Sequence, residues 1–171
     1  MIERDLCIGL SAQIGVDCRV LVLGSMPGAA SLRQAQYYAH PRNRFWPLMG
    51  LLVGVEPSAP YPQRLQHLQS AGVGLWDVIG ECRRRGSLDA DIVRGSEVPN
   101  ALGPTVAALR ELRLIACNGA AAHRAFLRFI VPSGGNPPVP VVALPSTSPA
   151  NASASLRALE HAWQPVADAL R

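Results

Sequence analysis

The sequence contains no lysine, and its sixteen lysine-or-arginine positions are all arginine. Chemistries that depend on a lysine ammonium are therefore excluded: a phosphate-loop lysine, a pyridoxal Schiff base, a lysine-based lyase. Anion binding stays open, because arginine remains charged and grips phosphate bidentately; a GC-rich coding sequence produces the same bias. Cys7, Cys18, Cys82 and Cys117 stand alone with no C-x-x-C pair, which removes zinc-ribbon spacing and a secreted disulfide framework. His40, His67, His123 and His161 are scattered, so neither a metal nor a cofactor is expected. No uninterrupted apolar stretch reaches the ~20 residues of a membrane span. The first 18 residues carry Glu3, Arg4 and Asp5 in place of a signal-peptide core. We expect a cytoplasmic monomer that does not associate with membranes. Aromatics make up only 5% of the chain, so each invites a question about its purpose.

What is present suits a single domain spanning residues 1–171. Hydrophobic residues are 49% and charged residues 16%, and domains commonly run ~100–200 residues. The net charge of +4 leans mildly toward an anionic partner. Four continuous apolar runs occur, at 19–25 (RVLVLGS), 73–79 (VGLWDVI), 113–117 (RLIAC) and 139–144 (VPVVAL). Continuous rather than alternating runs mark strands buried on both faces of a parallel sheet. Helical segments are expected at 45–52, 61–71, 100–112 and 120–130. In the last helix, Leu156, Leu159, Trp163, Val166 and Leu170 draw one stripe that Pro165 kinks or divides. The alternation predicts a three-layer α/β/α sandwich around a four-stranded parallel sheet. The Pro/Gly-rich stretch 132–140 reads as a surface loop.

Ligands of such sheets bind beyond the carboxyl ends of the strands. There the sequence places Gly24-Ser25-Met26-Pro27-Gly28 and the YYAHPRNRFW segment (37–46), then Asp77 with Arg83-Arg84-Arg85, then Asn118-Gly119, then LPSTSPANA (144–152). No G-x-S-x-G elbow and no Walker motif occurs. Amides, hydroxyls, one carboxylate and aromatic rings suit a planar heterocycle, stacked on a ring and read along its hydrogen-bonding edge. Proline- and glycine-rich loops with arginines suit a phosphodiester, the combination required of an enzyme that extrudes a base from DNA.

The first two segments together resemble the first motif region of the uracil-DNA glycosylase superfamily, and LPSTSPANA resembles its DNA-inserting loop. The wording is most similar to the hypoxanthine (deoxyinosine) branch, and the resemblance runs from about Arg19 to the end of the last helix. It implies the uracil-DNA-glycosylase-like version of the sandwich, with damaged DNA as the partner. One position departs from the uracil and mismatch enzymes. Where those carry Asp or Asn before the proline, this chain has Met26, which cannot orient water. The resemblance hands the water to Asn43, and an amide suffices if water attacks an oxocarbenium-like sugar.

By the same resemblance Asn118 is a second catalytic contact, Phe45 stacks on the flipped base, and Asp77, with Ser25, Met26 and Tyr38, lines the base site. Ser146, Thr147, Ser148, Pro149 and Asn151, with Arg42 and Arg44, meet DNA; Pro149 or Ala150 fills the gap left by the flipped nucleotide, and Arg83-Arg84-Arg85 offer further phosphate contacts. Each residue also has a plainer role open to it. Asn43 and Asn118 are favoured helix caps, Asp77 suits a turn after a strand, Phe45 suits a core, and a triple arginine suits a solvated turn. The expected function is a monofunctional glycosylase that hydrolyses the N-glycosidic bond of hypoxanthine and leaves an abasic site. Its rivals are a uracil- or mismatch-specific glycosylase, a non-catalytic DNA-binding module of the same fold, favoured by Met26, and a small-molecule hydrolase or nucleotide-binding protein of flavodoxin-like shape.

Overall fold

The computed structural model describes residues 5–134 and 136–171. Glu3, Arg4 and Gly135 of the 132–140 loop lie outside the described residues. Four parallel strands form the main sheet: β2 (Val20–Gly24), β3 (Val73–Asp77), β6 (Leu114–Asn118) and β7 (Val141–Leu144), in the order β3-β2-β6-β7. The two central strands are buried at every position, as their unbroken apolar sequence requires. Successive side chains alternate faces. Val20 and Val22 enter one core with Leu68, Leu159 and Trp163, while Leu21 and Leu23 enter the other with Leu102, Ile115 and Phe126.

Helices cover both faces, giving the expected three layers. The first core is packed by α2 (Phe45–Val53), α3 (Tyr61–Ser70), α6 (Leu156–Ala162) and α7 (Gln164–Leu170). The second is packed by α4 (Leu102–Ala108), α5 (Ala120–Ala125) and the wider helical turn Phe126–Ile130 that continues α5. A short α1 (Ala29–Gln34) follows the first strand of the sheet. Pro165 divides the last helix: Trp163 joins α6 to α7, and the ring sits at the second helix's first turn, where no N–H is missed.

The run 73–79 is not one strand. It leaves the parallel sheet after Asp77, and Ile79–Arg83 forms β4 of a second, antiparallel sheet with β1 (Leu6–Ile8) and β5 (Val98–Pro99). Val78 N–H and Ile79 N–H donate to the Gly24 and Ser25 carbonyls, so the chain turns out against the loop after β2. The helix expected at 100–112 is also shorter, seven residues, ending where Leu109 turns to extended backbone angles (φ −89°, ψ 90°). No described helix is long and apolar enough to cross a membrane.

In chain order the sheet is built outward from β2 to β3 and then back across to β6. The loops after β2 and β6 therefore part, and the crevice between them is the switch point at which open α/β sheets bind ligands.

Candidate active site

A cleft of about 840 Å³ opens at that switch point. One wall is a hydrogen-bonded frame. Asn118, the last residue of β6, donates through Nδ2 to Thr147 Oγ1 and accepts the Thr147 N–H on Oδ1, both at 3.0 Å. Thr147 in turn accepts the Arg44 N–H at 3.0 Å. The Arg44 guanidinium donates to the carbonyls of Ser148 (3.1 Å) and Asn151 (2.6 Å), and Asn151 Nδ2 donates to the Ser146 carbonyl. Gly119 has φ 101°, and a Cβ there would lie 3.0 Å from that of Ser146, so only glycine lets the loop come this close. Asn43 stands at the head of this wall; its Oδ1 accepts the Phe45 N–H at 2.9 Å, which fixes the amide plane at the cleft.

The opposite wall is built differently. Asp77 sits where the chain passes from one sheet to the other, its carbonyl held by Asn100 Nδ2 at 2.8 Å. A Cβ on Gly24 would collide with Asp77 Oδ1, so only glycine lets the carboxyl press against the end of β2. Asp77 Oδ2 is buried without a protein partner, as is Tyr38 Oη. Burial, reinforced by Asp89 and opposed by Arg84, pushes the Asp77 carboxyl up to about 7. Burial and the Asp77 charge raise the Tyr38 phenol, so the ring is a neutral donor throughout the working range. Ser25 Oγ donates to Asp89 Oδ1, tying the loop after β2 to residues 84–97.

The structure brings Ser25, Met26, Tyr38, Arg42, Asn43, Asp77, Asn118, Ser146, Ser148, Pro149 and Asn151 to this one cleft. Five residues are engaged in contacts other than those proposed for them, Arg44 among them, its guanidinium spent on the carbonyls of Ser148 and Asn151. Phe45 is fully buried with Tyr38 stacked on it, centroids 4.0 Å apart at 24°, so the ring face offered to the cleft is Tyr38's. Phe45 starts α2 with its ring wedged edge-on against Trp46 and Trp163. Thr147 is 0% exposed and holds the loop to Asn118, leaving no hydroxyl for a phosphate. Arg84 is 3% exposed and donates inward to the Pro27 carbonyl at 2.6 Å. Arg85 is paired with Asp5 at 3.0 Å. Asp89, which helps to shape the second wall, was passed over by sequence reasoning, and Arg84 was given an outward role in place of its inward one. The signal for Arg84 was its two-residue step from buried Cys82 along an extended segment.

Among the described residues no cluster of three or more His, Cys, Asp or Glu is disposed to hold a metal. All four cysteines are free, and burial pushes the Cys117 thiol up to about 12.

The sequence model of the uracil DNA glycosylase superfamily matches residues 12–169. The chain belongs to this superfamily. A protein of Methanosarcina acetivorans named hypoxanthine DNA glycosylase is 37% identical over 120 residues, 70% of this chain and 72% of that one. Its namesake in Methanosarcina barkeri is 41% identical over 85 residues, 49% of this chain and 54% of its relative. This chain thus aligns with little more than half the length of the second relative. The fold is similar to the solution NMR structure of a candidate uracil DNA glycosylase from M. acetivorans. Their TM-score is 0.79 at 31% identity, covering 96% of this chain and 98% of that one. The superfamily match takes in both walls of the cleft, from the loop after β2 to the loop after β7.

Proposed function

We propose that the protein is a monofunctional DNA glycosylase that takes a flipped hypoxanthine into the cleft and hydrolyses its N-glycosidic bond. The observation that carries the reading is the convergence of two amides and a buried carboxyl, Asn43, Asn118 and Asp77, on one cleft at the sheet's switch point. The names of the two relatives support hypoxanthine as the base.

Tyr38, backed by Phe45, offers the base a ring to stack on. Ionised Asp77 accepts the ring N–H of hypoxanthine and repels the bare ring nitrogen of adenine. Asn118 spends one Nδ2 hydrogen and one Oδ1 lone pair on Thr147; its amide also lies beside the Tyr38 hydroxyl, and the two groups together offer donors to the base carbonyl, onto which negative charge spreads as the base leaves. As the C1′–N bond breaks, its electron pair goes to the base and the sugar becomes oxocarbenium-like. Water held by the Asn43 amide adds to C1′ and loses a proton to solvent. An amide suffices because the cation needs an oriented nucleophile more than a strong base. Without a lysine, no side-chain amine of that type attacks the abasic sugar, so the strand stays intact. Loop 145–151, stiffened by Asn118 and Arg44, meets the DNA through Ser146, Ser148, Pro149 and Asn151, and exposed Arg42 supplies a cation at the lip.

End-labelled duplexes carrying inosine or uracil, followed by alkali to break abasic sites, test this. Cleavage at inosine is expected. Cleavage at uracil alone would move the protein to the neighbouring specificity, and release of neither base would overturn the enzymatic reading.

A further inference from the structure

The cleft does not end at the link between Ser25 and Asp89. Beyond it a side groove of about 300 Å³ continues, sharing Ser25, Asp89 and Ala121 with the cleft. One bank is the face of α5 and its continuation that carries Ala121, Arg124, Ala125 and Arg128, at helical steps of three and four. The other bank is the segment 89–97, which contributes Arg94. Neither Arg94 nor Arg124 has a hydrogen-bond or ion-pair partner among the described residues, and both are exposed. The groove's two acids are engaged internally. Asp89 accepts Ser25 Oγ, while Glu97 accepts the Gly95 N–H at 2.7 Å and faces Arg128 at 3.4 Å.

We propose that this groove is a second backbone track, in which Arg94 and Arg124 bind successive phosphates of the DNA strand on one side of the flipped nucleotide. Three features carry it, given the glycosylase reading on which it rests. The groove is continuous with the cleft, so a strand leaving the cleft meets it directly. Its free cations flank a channel lined on the helix by Ala121 and Ala125, with Ile79, Ile92 and Phe129 forming the rest of an apolar floor on which a sugar can rest. Its placement also complements the contacts already described. The frame of Asn43, Arg44 and loop 145–151 adjoins α2, which packs into the first core, whereas α5 packs into the second. A strand crossing the edge of the sheet is therefore held on both sides of the base it surrenders, and such two-sided anchoring favours extrusion of the nucleotide between.

The salt dependence of duplex binding tests this in the full-length protein. Removing one arginine that neutralises a phosphate should reduce the slope of log K against log salt by about 0.9. Arg94→Ser and Arg124→Ser are expected each to flatten it by about that amount on damaged and undamaged duplexes alike. Arg110→Ser, in an exposed arginine just before β6 at the other end of the sheet, controls for net charge and should leave the slope unchanged. Duplexes trimmed to one or two base pairs on the 5′ or the 3′ side of inosine identify the flank: on one of them the difference between wild type and Arg124→Ser should vanish. An unchanged slope in both groove variants, or an equal change in Arg110→Ser, overturns the proposal. Because the slope is read from binding, it is separate from base release, so a groove that does not touch DNA in an active enzyme sinks this inference alone. Thermal unfolding of each variant alongside its slope distinguishes weakened phosphate binding from a damaged fold. Both arginines are exposed and unpartnered, so the unfolding midpoints should match wild type.

Discussion

On the Asn118 side of the cleft, side-chain polar groups are matched to one another. Asn118 and Thr147 exchange two bonds, Arg44 ties Ser148 and Asn151, and Asn43 is pinned by the Phe45 N–H. On the Asp77 side, Tyr38 Oη, Asp77 Oδ2, and Arg84 Nε and Nη1 are buried without protein partners. Buried polar groups are ordinarily satisfied, and leaving one unpaired costs ~1–3 kcal/mol. The contrast separates two jobs. The first wall is scaffolding whose bonds are spent on its own geometry, while the second keeps hydrogen-bonding capacity in reserve for whatever enters.

If the matched wall is the rigid part that carries the chemistry, its loss should be the most damaging. Asn43→Ala is expected to slow base release by about 10²–10³-fold, the usual scale for losing one positioned polar group, while DNA binding survives. Single-turnover cleavage of an inosine duplex measures it, and full activity in this variant would remove Asn43 from the mechanism. Asn118→Ala strands the Thr147 N–H and Oγ1 in a fully buried position. It should cost ~2–4 kcal/mol in urea unfolding, because both the loop and its anchor lose their partners. A loss well under 1 kcal/mol would mean that the frame is slack and that the comparison fails on its stronger side.

The matched wall was also the more legible one. β2 and β6 announce themselves as unbroken apolar runs, and the polar residues that follow them fall on the same rim in any parallel sheet. The core was similarly readable, since the 3.6-residue stripe of Leu156, Leu159, Trp163 and Val166 packs as its spacing requires. The second wall was obscured because the run 73–79 reads as one strand. Nothing local says that the chain changes sheets at Val78; that choice is made by the distant carbonyls of Gly24 and Ser25. The arginine run 83–85 looked like a solvated turn for the same reason: its inward member is chosen by pairing with Ile92. Phe45 was assigned to the base by resemblance, but a sequence does not report that a neighbouring ring, Tyr38 at φ 56°, lies across it.

The reserve wall should respond with the opposite sign. The Asp77 carboxyl has its ordinary value of 3.8 when unfolded and is raised to about 7 by burial, with Asp89 adding and Arg84 subtracting. The folded protein therefore holds this proton more tightly than the unfolded chain. Its stabilising contribution is present below about pH 4 and is lost as pH rises toward 7. Asp77→Asn removes the ionisation, so the variant should be more stable than wild type at pH 8, by on the order of 2 kcal/mol, with the gap closing near pH 4. Urea unfolding at the two pH values reads it directly. In activity the same proton acts the other way: only the carboxylate accepts a ring N–H, so preference for inosine over adenine should sharpen as pH passes 7. A variant no more stable at pH 8 would mean that the carboxylate is already satisfied when folded, and the two walls would not differ in kind.

Tyr38→Phe makes the smallest and most discriminating change. It deletes one oxygen and leaves the ring stacked on Phe45. In the matched wall, removing a bonded hydroxyl costs ~1 kcal/mol; Tyr37 provides that reference next door, since its Oη donates to the Ser11 carbonyl at 2.8 Å. The Tyr38 hydroxyl faces the Asn118 amide without closing a well-formed bond and is held out of water, so its deletion should be neutral or stabilising by a few tenths of a kcal/mol. Tyr37→Phe should be destabilising by about 1 kcal/mol. The two residues are neighbours in the chain with the same ring, and they differ in whether the hydroxyl is used. Equal losses in the two variants would show that Tyr38 Oη is bonded after all, and the reserve attributed to this wall would shrink to Asp77 and Arg84.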